Sequence, residues 1–158
     1  MTPEEIVRRF EDGSLPPAAF RHREHLLVGW SYVRAMPFEE AAYRFVRGLR
    51  AFVVAHGAED KFHATVTWAY LAILAELLDD PRTKSLPFDA FLAEHPELLD
   101  ARDGALAALY GFGGLGSDRA RRVPLLPGRA GTGRAPSRSG NWPAQAAGGS
   151  DERARRRG

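Results

Sequence analysis

Four of the five histidines in the sequence fall at the ends of predicted helices. His22 and His25 lie three residues apart at the start of one helix, His56 lies in the last turn of the next, and His63 begins the one after. Residues three apart on a helix share a face, so His22 and His25 can act on one ligand. Imidazole nitrogens bind transition metals and also transfer protons near neutral pH.

The helices that carry these histidines are predicted from the spacing of apolar residues. Residues 21–36, 38–56 and 61–79 each repeat apolar side chains with the helical period, and only short connections separate them. Helices joined by short loops pack antiparallel to their neighbours. The starts of the first and third of these helices should therefore lie at the same end of the bundle as the end of the second.

His22, His25 and His63 form the predicted ligand set of a metal site. All three are expected in the first turn of a helix, where the helix dipole disfavours imidazolium and so favours the neutral form that binds metals. The sequence has no cysteine, which leaves histidine and carboxylate as the available ligands. The predicted cofactor is a divalent transition metal (Zn, Cu or Fe), which would supply Lewis-acid chemistry, an activated water or oxidation of a small-molecule substrate.

Four further residues are candidates for the chemistry: His56, Glu59 and Asp60 as acid, base or groups that orient the metal ligands, and Thr67 as a hydroxyl that contacts the substrate. His56, Glu59 and Asp60 are near the predicted site in sequence, and Thr67 lies one turn beyond His63. Each has a structural alternative. His56 can cap its helix, Asp60 can cap the helix that follows, and Thr67 can bond back to a carbonyl of its own helix.

Two other hypotheses belong to different classes of protein. Arg21, Arg23 and Lys61 lie near two helix N-termini, an arrangement that favours a carboxylate or phosphate. The chain would then be a non-catalytic helical module for an anionic small molecule or a protein partner. A purely structural bundle is favoured if the histidines point to different faces.

The predicted fold is all-α, a compact bundle of about five to six helices in residues 1–124. Thr2 is the expected N-cap of the first helix, with the Glu5 carboxylate as its reciprocal cap. Gly13, Pro37 and Gly57 are expected at helix ends. Further helical segments are predicted at 87–94 and 98–110 and after Ser117, and no strand is predicted. Residues 125–158 are rich in Gly, Arg and Pro, which predicts a disordered tail.

Composition and charge indicate the class of protein and which large partners it is expected to bind. The 158 residues are 44% hydrophobic and 27% charged, which is typical of one globular domain. Residues 1–123 carry a net charge of −3 and residues 124–158 carry +5, so nucleic acid is expected to bind only non-specifically through the Arg-rich tail. The longest apolar stretch, 64–78, is shorter than a membrane span. The acidic N-terminal segment lacks an apolar region, so a cytoplasmic location is expected.

Two motifs resemble those of a group of short bacterial helical proteins of uncharacterised function. The first is F-x-H-x-x-H at residues 20–25, and the second is K-[YF]-H-x-T-x-T/W, present here as KFHATVTW at 61–68. The resemblance covers the chain to about Pro127. It implies a small helical protein whose motif histidines are His22, His25 and His63, and it transfers no activity, substrate or metal. Members often have a glutamate where this chain has Ala64.

Overall fold

The computed structural model describes residues 1–100, 104–111 and 114–128. Within these ranges the ordered elements are all helical and no strand is present, which confirms the all-α prediction. The eight helices of the described ranges are α1 (Pro3–Glu11), α2 (His22–Ala35), α3 (Phe38–Ala55), α4 (Ala64–Leu78), α5 (Pro81–Lys84), α6 (Phe88–Glu94), α7 (Ala105–Tyr110) and α8 (Asp118–Arg122). Three single 3-10 turns lie between them, at Pro17–Ala19, Glu59–Lys61 and Pro96–Leu98.

Local sequence determines where the first helices begin and end. The Thr2 hydroxyl accepts the backbone N–H of Glu5 at 3.2 Å and so caps α1 as predicted. Gly13 follows α1 with a φ of +75°, a conformation that glycine adopts without strain. The predicted reciprocal cap by the Glu5 carboxylate is wrong, since this group instead pairs with Arg9 one turn along at 2.9 Å.

Helix α2 lies at the centre of the bundle and packs against α1, α3 and α4. Leu27 and Val28 of this helix are completely buried. Gly29 lets α2 approach α4 closely, because a Cβ at this position would lie 3.1 Å from a methyl carbon of Leu74. The middle of α2 therefore lies against the C-terminal half of α4.

Two predicted helix boundaries are wrong. Helix α4 begins at Ala64 rather than Lys61, because residues 59–61 form a 3-10 turn and His63 is extended. The N-cap of α4 is accordingly His63 and not Asp60. The predicted helix over 98–110 is shorter than expected, since α7 begins only at Ala105.

The last described segment packs onto the body of the bundle. Leu125, which the sequence places in the tail, is buried against Ala120 and Tyr110. The rest of the predicted tail, from residue 129, lies outside the described residues. Among the helices that the structure describes, none is long and apolar enough to cross a membrane.

Candidate functional site

A cavity of about 60 Å³ lies where α2, α3 and α4 pack together, and we call it the α2–α4 cavity. Its polar side chains are those of His22, His25, Thr67 and Tyr70. Its apolar lining is formed by Leu26, Gly29, Phe45, Leu49, Val66, Leu71 and Leu74. The cavity brings together two of the three predicted metal ligands and one predicted catalytic residue, and it adds a tyrosine that the sequence analysis did not select.

His22 is fixed from two sides. Its Nε2 lies 2.7 Å from the backbone oxygen of Leu98, and its ring packs on that of Tyr70 with 5.1 Å between centroids. A carbonyl oxygen only accepts hydrogen bonds, so Nε2 carries the proton and donates. In the neutral imidazole this leaves Nδ1 as a lone-pair acceptor.

His25 is held in its neutral form. Its ring packs on Phe20 with 4.0 Å between centroids. Burial, assisted by the neighbouring His22, lowers the pKa of His25 from 6.5 to about 4, because an apolar environment disfavours the imidazolium. At neutral pH this side chain offers one N–H donor and one lone pair.

Thr67 uses its hydroxyl proton in a hydrogen bond at the start of α4. The hydroxyl donates to the backbone oxygen of His63, one turn earlier in the chain, at 2.9 Å. This is the helix back-bond that the sequence analysis weighed against a substrate contact. With its proton committed, the Thr67 oxygen offers acceptor lone pairs only.

Tyr70 carries the least satisfied polar atom of the cavity lining. In the part of the chain that the structure describes, its buried hydroxyl has no hydrogen-bond partner. Burial, with a smaller contribution from the negative charge of Asp100, raises the pKa of Tyr70 to about 12, so the phenol keeps its proton at neutral pH. A buried donor without a partner costs about 1 to 3 kcal/mol, and a site for a ligand is one explanation for retaining it.

His63 uses both ring nitrogens within the chain. Its Nδ1 accepts the backbone N–H of Val66 at 3.2 Å, which caps α4, and its Nε2 donates to the backbone oxygen of Leu115 at 2.8 Å. A metal at either nitrogen would have to displace one of these bonds. His63 is also not among the residues that line the α2–α4 cavity.

The bond from His63 belongs to a larger set that we call the C-terminal anchor: the side chains of His63, Thr65 and Tyr110 bound to the backbone of residues 115–125. The Thr65 hydroxyl lies 2.8 Å from the Ala120 oxygen and accepts the N–H of Leu125 at 3.1 Å. The Tyr110 hydroxyl donates to the Leu125 oxygen at 2.9 Å. The anchor ties the chain after α7 to the start of α4.

The other predicted catalytic residues lie apart from the cavity. His56 is exposed at the end of α3, where its Nδ1 donates to the backbone oxygen of Phe52 at 2.8 Å and its ring packs on that of Phe52. This bond to the last turn of α3 is the one expected if His56 caps its helix. Glu59 and Asp60 line a separate surface groove beside Arg50 and Arg121. None of these three side chains is among those lining the α2–α4 cavity.

The side chains predicted to bind a metal or an anion are not grouped as the sequence suggested. Within the described ranges no three His, Asp or Glu side chains are grouped so that they could hold a metal ion. Arg23, expected to attract an anion, instead forms an ion pair with Asp89 and lies over the ring of Phe88. Arg21 and Lys61 are exposed. Metal and anion binding both remain predictions.

Comparison of the chain with protein-family models, curated proteins and solved structures gave no match. The suggested bacterial group therefore stays a prediction. Among the cavity residues, Tyr70 was not predicted as a site residue, because an aromatic side chain in an apolar helix is typical of the core, where the structure also places it. Its position gave a clue, since residue 70 lies three after Thr67 and thus on the same face of α4.

Proposed function

We propose that this protein binds a small molecule in the α2–α4 cavity. The observation that carries the proposal is the buried hydroxyl of Tyr70, which lacks a partner among the described residues although Tyr70 lines a cavity with other polar side chains. Native proteins leave few buried polar atoms unsatisfied. A bound molecule that accepts from this hydroxyl would account for it.

The size of the cavity sets the size of the group that enters it. An engineered apolar cavity of about 150 Å³ holds benzene, and a water needs about 10 to 15 Å³. A volume of about 60 Å³ therefore suits a group of about three non-hydrogen atoms. Since the best ligands gain about 1.5 kcal/mol per atom, such a group alone would bind with a Kd of about 1 mM or weaker.

The proposal is tested by titrating formamide into labelled protein and following the methyl resonances of Val66, Leu71 and Leu74 by NMR. We expect saturable shifts at these cavity methyls. Tyr70→Phe should weaken binding about 2- to 10-fold, the value of one hydrogen bond. Tyr32→Phe is the matched control, because the buried Tyr32 hydroxyl already donates to Glu11 at 3.0 Å and lies outside the cavity.

Two outcomes would contradict the proposal. One is the absence of saturable shifts at the cavity methyls at molar formamide. The other is binding that Tyr70→Phe and Tyr32→Phe change equally, which would place the probe elsewhere.

A metal-dependent function is a second candidate, and one observation favours it. His22 and His25 line the same cavity, and a neutral imidazole has one ring nitrogen with a lone pair that can bind a metal. A Zn, Cu or Fe ion held there would supply Lewis-acid or redox chemistry to a small substrate. We expect metal analysis of purified protein to find about one ion per chain. His22→Ala/His25→Ala should lose it, whereas His63→Asn should retain it, and loss in His63→Asn would instead favour the three-histidine set.

A further inference from the structure

We infer that the group bound in the α2–α4 cavity is uncharged and both donates and accepts hydrogen bonds, as a primary amide or an alcohol does. This inference rests on the proposed function and specifies its ligand. It follows from counting which protons and lone pairs of the lining side chains are already used by the fold.

Thr67, and His22 as a neutral imidazole, can only accept from a ligand. The His22 N–H donates to the backbone oxygen of Leu98 at 2.7 Å, and the Thr67 O–H donates to the backbone oxygen of His63 at 2.9 Å. What remains on each is a lone pair. A ligand satisfies these atoms only if it brings an N–H or O–H.

One polar lining residue is a donor to be satisfied. The Tyr70 phenol retains its proton at neutral pH, and its oxygen is buried. A ligand satisfies this proton only if it brings an oxygen or nitrogen lone pair. His25, neutral with one donor and one acceptor, adjusts to either kind of group.

Charged ligands of the same size match these donors and acceptors less well. A carboxylate brings acceptors only, so its oxygens would face the lone pairs of His22 and Thr67. An ammonium group brings donors only, so the Tyr70 proton would gain no acceptor.

The test compares three probes of three non-hydrogen atoms each: formamide, formate and ethylammonium. Each is titrated into the full chain at pH 7 and constant ionic strength, with the cavity methyls followed by NMR. We expect formamide to bind at least fivefold more tightly than either charged probe. Thr67→Val, which removes an acceptor but little volume, should weaken formamide at least threefold and leave formate unchanged or tighter.

The outcomes separate this inference from the proposed function. Formate or ethylammonium binding as tightly as formamide would overturn the ligand class and leave the cavity a binding site. Formamide binding that Thr67→Val does not change would also overturn it. If none of the three probes gives saturable shifts at the cavity methyls, the proposed function itself fails.

Discussion

Two polar clusters meet at the start of α4, and they differ in what completes their hydrogen bonds. In the C-terminal anchor, His63 and Thr65 are bound to backbone atoms of residues 115–125. In the α2–α4 cavity, the side chains of His22 and Thr67 each form one hydrogen bond, to a backbone oxygen. The Tyr70 hydroxyl is buried without a partner among the described residues. The first cluster is completed by the chain, and the second retains capacity for a molecule from outside.

Thr65 and Thr67 show what this difference teaches. Both are buried threonines of α4 and lie two residues apart. Thr65 bonds to a segment 55 residues away, whereas Thr67 bonds to the start of its own helix and is one of the residues that line the cavity. Residue type alone does not distinguish a structural from a ligand-binding side chain, but a count of its remaining donors and acceptors does.

The largest effect is expected where the anchor is broken at its centre. Thr65→Val leaves the Ala120 oxygen and the Leu125 N–H without their side-chain partner, so the free energy of unfolding should fall by about 2 to 3 kcal/mol. Thr67→Val should lose less than about 1 kcal/mol, because the His63 oxygen still accepts the Thr67 N–H. Chemical denaturation measures both. Equal losses would erase the distinction between the two clusters.

A second change tests whether His63 is structural. His63→Ala removes both the cap of α4 and the bond to Leu115, and we expect a loss of about 2 kcal/mol. His63→Asn supplies a side-chain oxygen as a new cap and should recover about half of it. Denaturation curves of the two variants provide the comparison. A loss below about 0.5 kcal/mol in His63→Ala would remove His63 from the anchor.

The pH dependence of stability sharpens the assignment of His25 to the cavity. Its pKa in the folded protein is about 4, below the usual 6.5, so between these values the unfolded chain binds a proton that the folded chain excludes. Stability should therefore fall as the pH drops from 6.5 towards 4, by about 1.4 kcal/mol per pH unit from this group. His25→Gln should remove that contribution. Parallel pH profiles of the variant and the natural chain would contradict it.

Much of the fold could be predicted because its helix ends are encoded locally. Thr2 accepts from a residue three positions away, and Gly13 and Gly57 supply positive φ values where α1 and α3 end. The start of α4 was misplaced because Asp60 looks like an N-cap in sequence. The 3-10 turn at Glu59–Lys61 instead moves the cap to His63.

The site could be predicted only in part. The spacing of His22 and His25 places them on one face of α2, and the short loops bring the start of α4 beside them, so their shared cavity follows from local rules. The backbone atoms that bind His22 and His63 could not be predicted in the same way. Leu98 lies 76 residues from His22, and Leu115 lies 52 residues from His63. Both partners are backbone oxygens, which any residue type provides, so the sequence carries no trace of them.

The measurement that most directly tests the central claim is the unfolding free energy of Tyr70→Phe beside that of Tyr32→Phe. Tyr32→Phe removes a hydroxyl that donates to Glu11, and it should lose about 1 kcal/mol. Tyr70→Phe removes a buried hydroxyl that has no partner among the described residues, so its stability should be unchanged or rise by up to about 1 kcal/mol. An equal loss in both variants would mean that the chain itself satisfies Tyr70, and the cavity would then hold no donor reserved for a ligand.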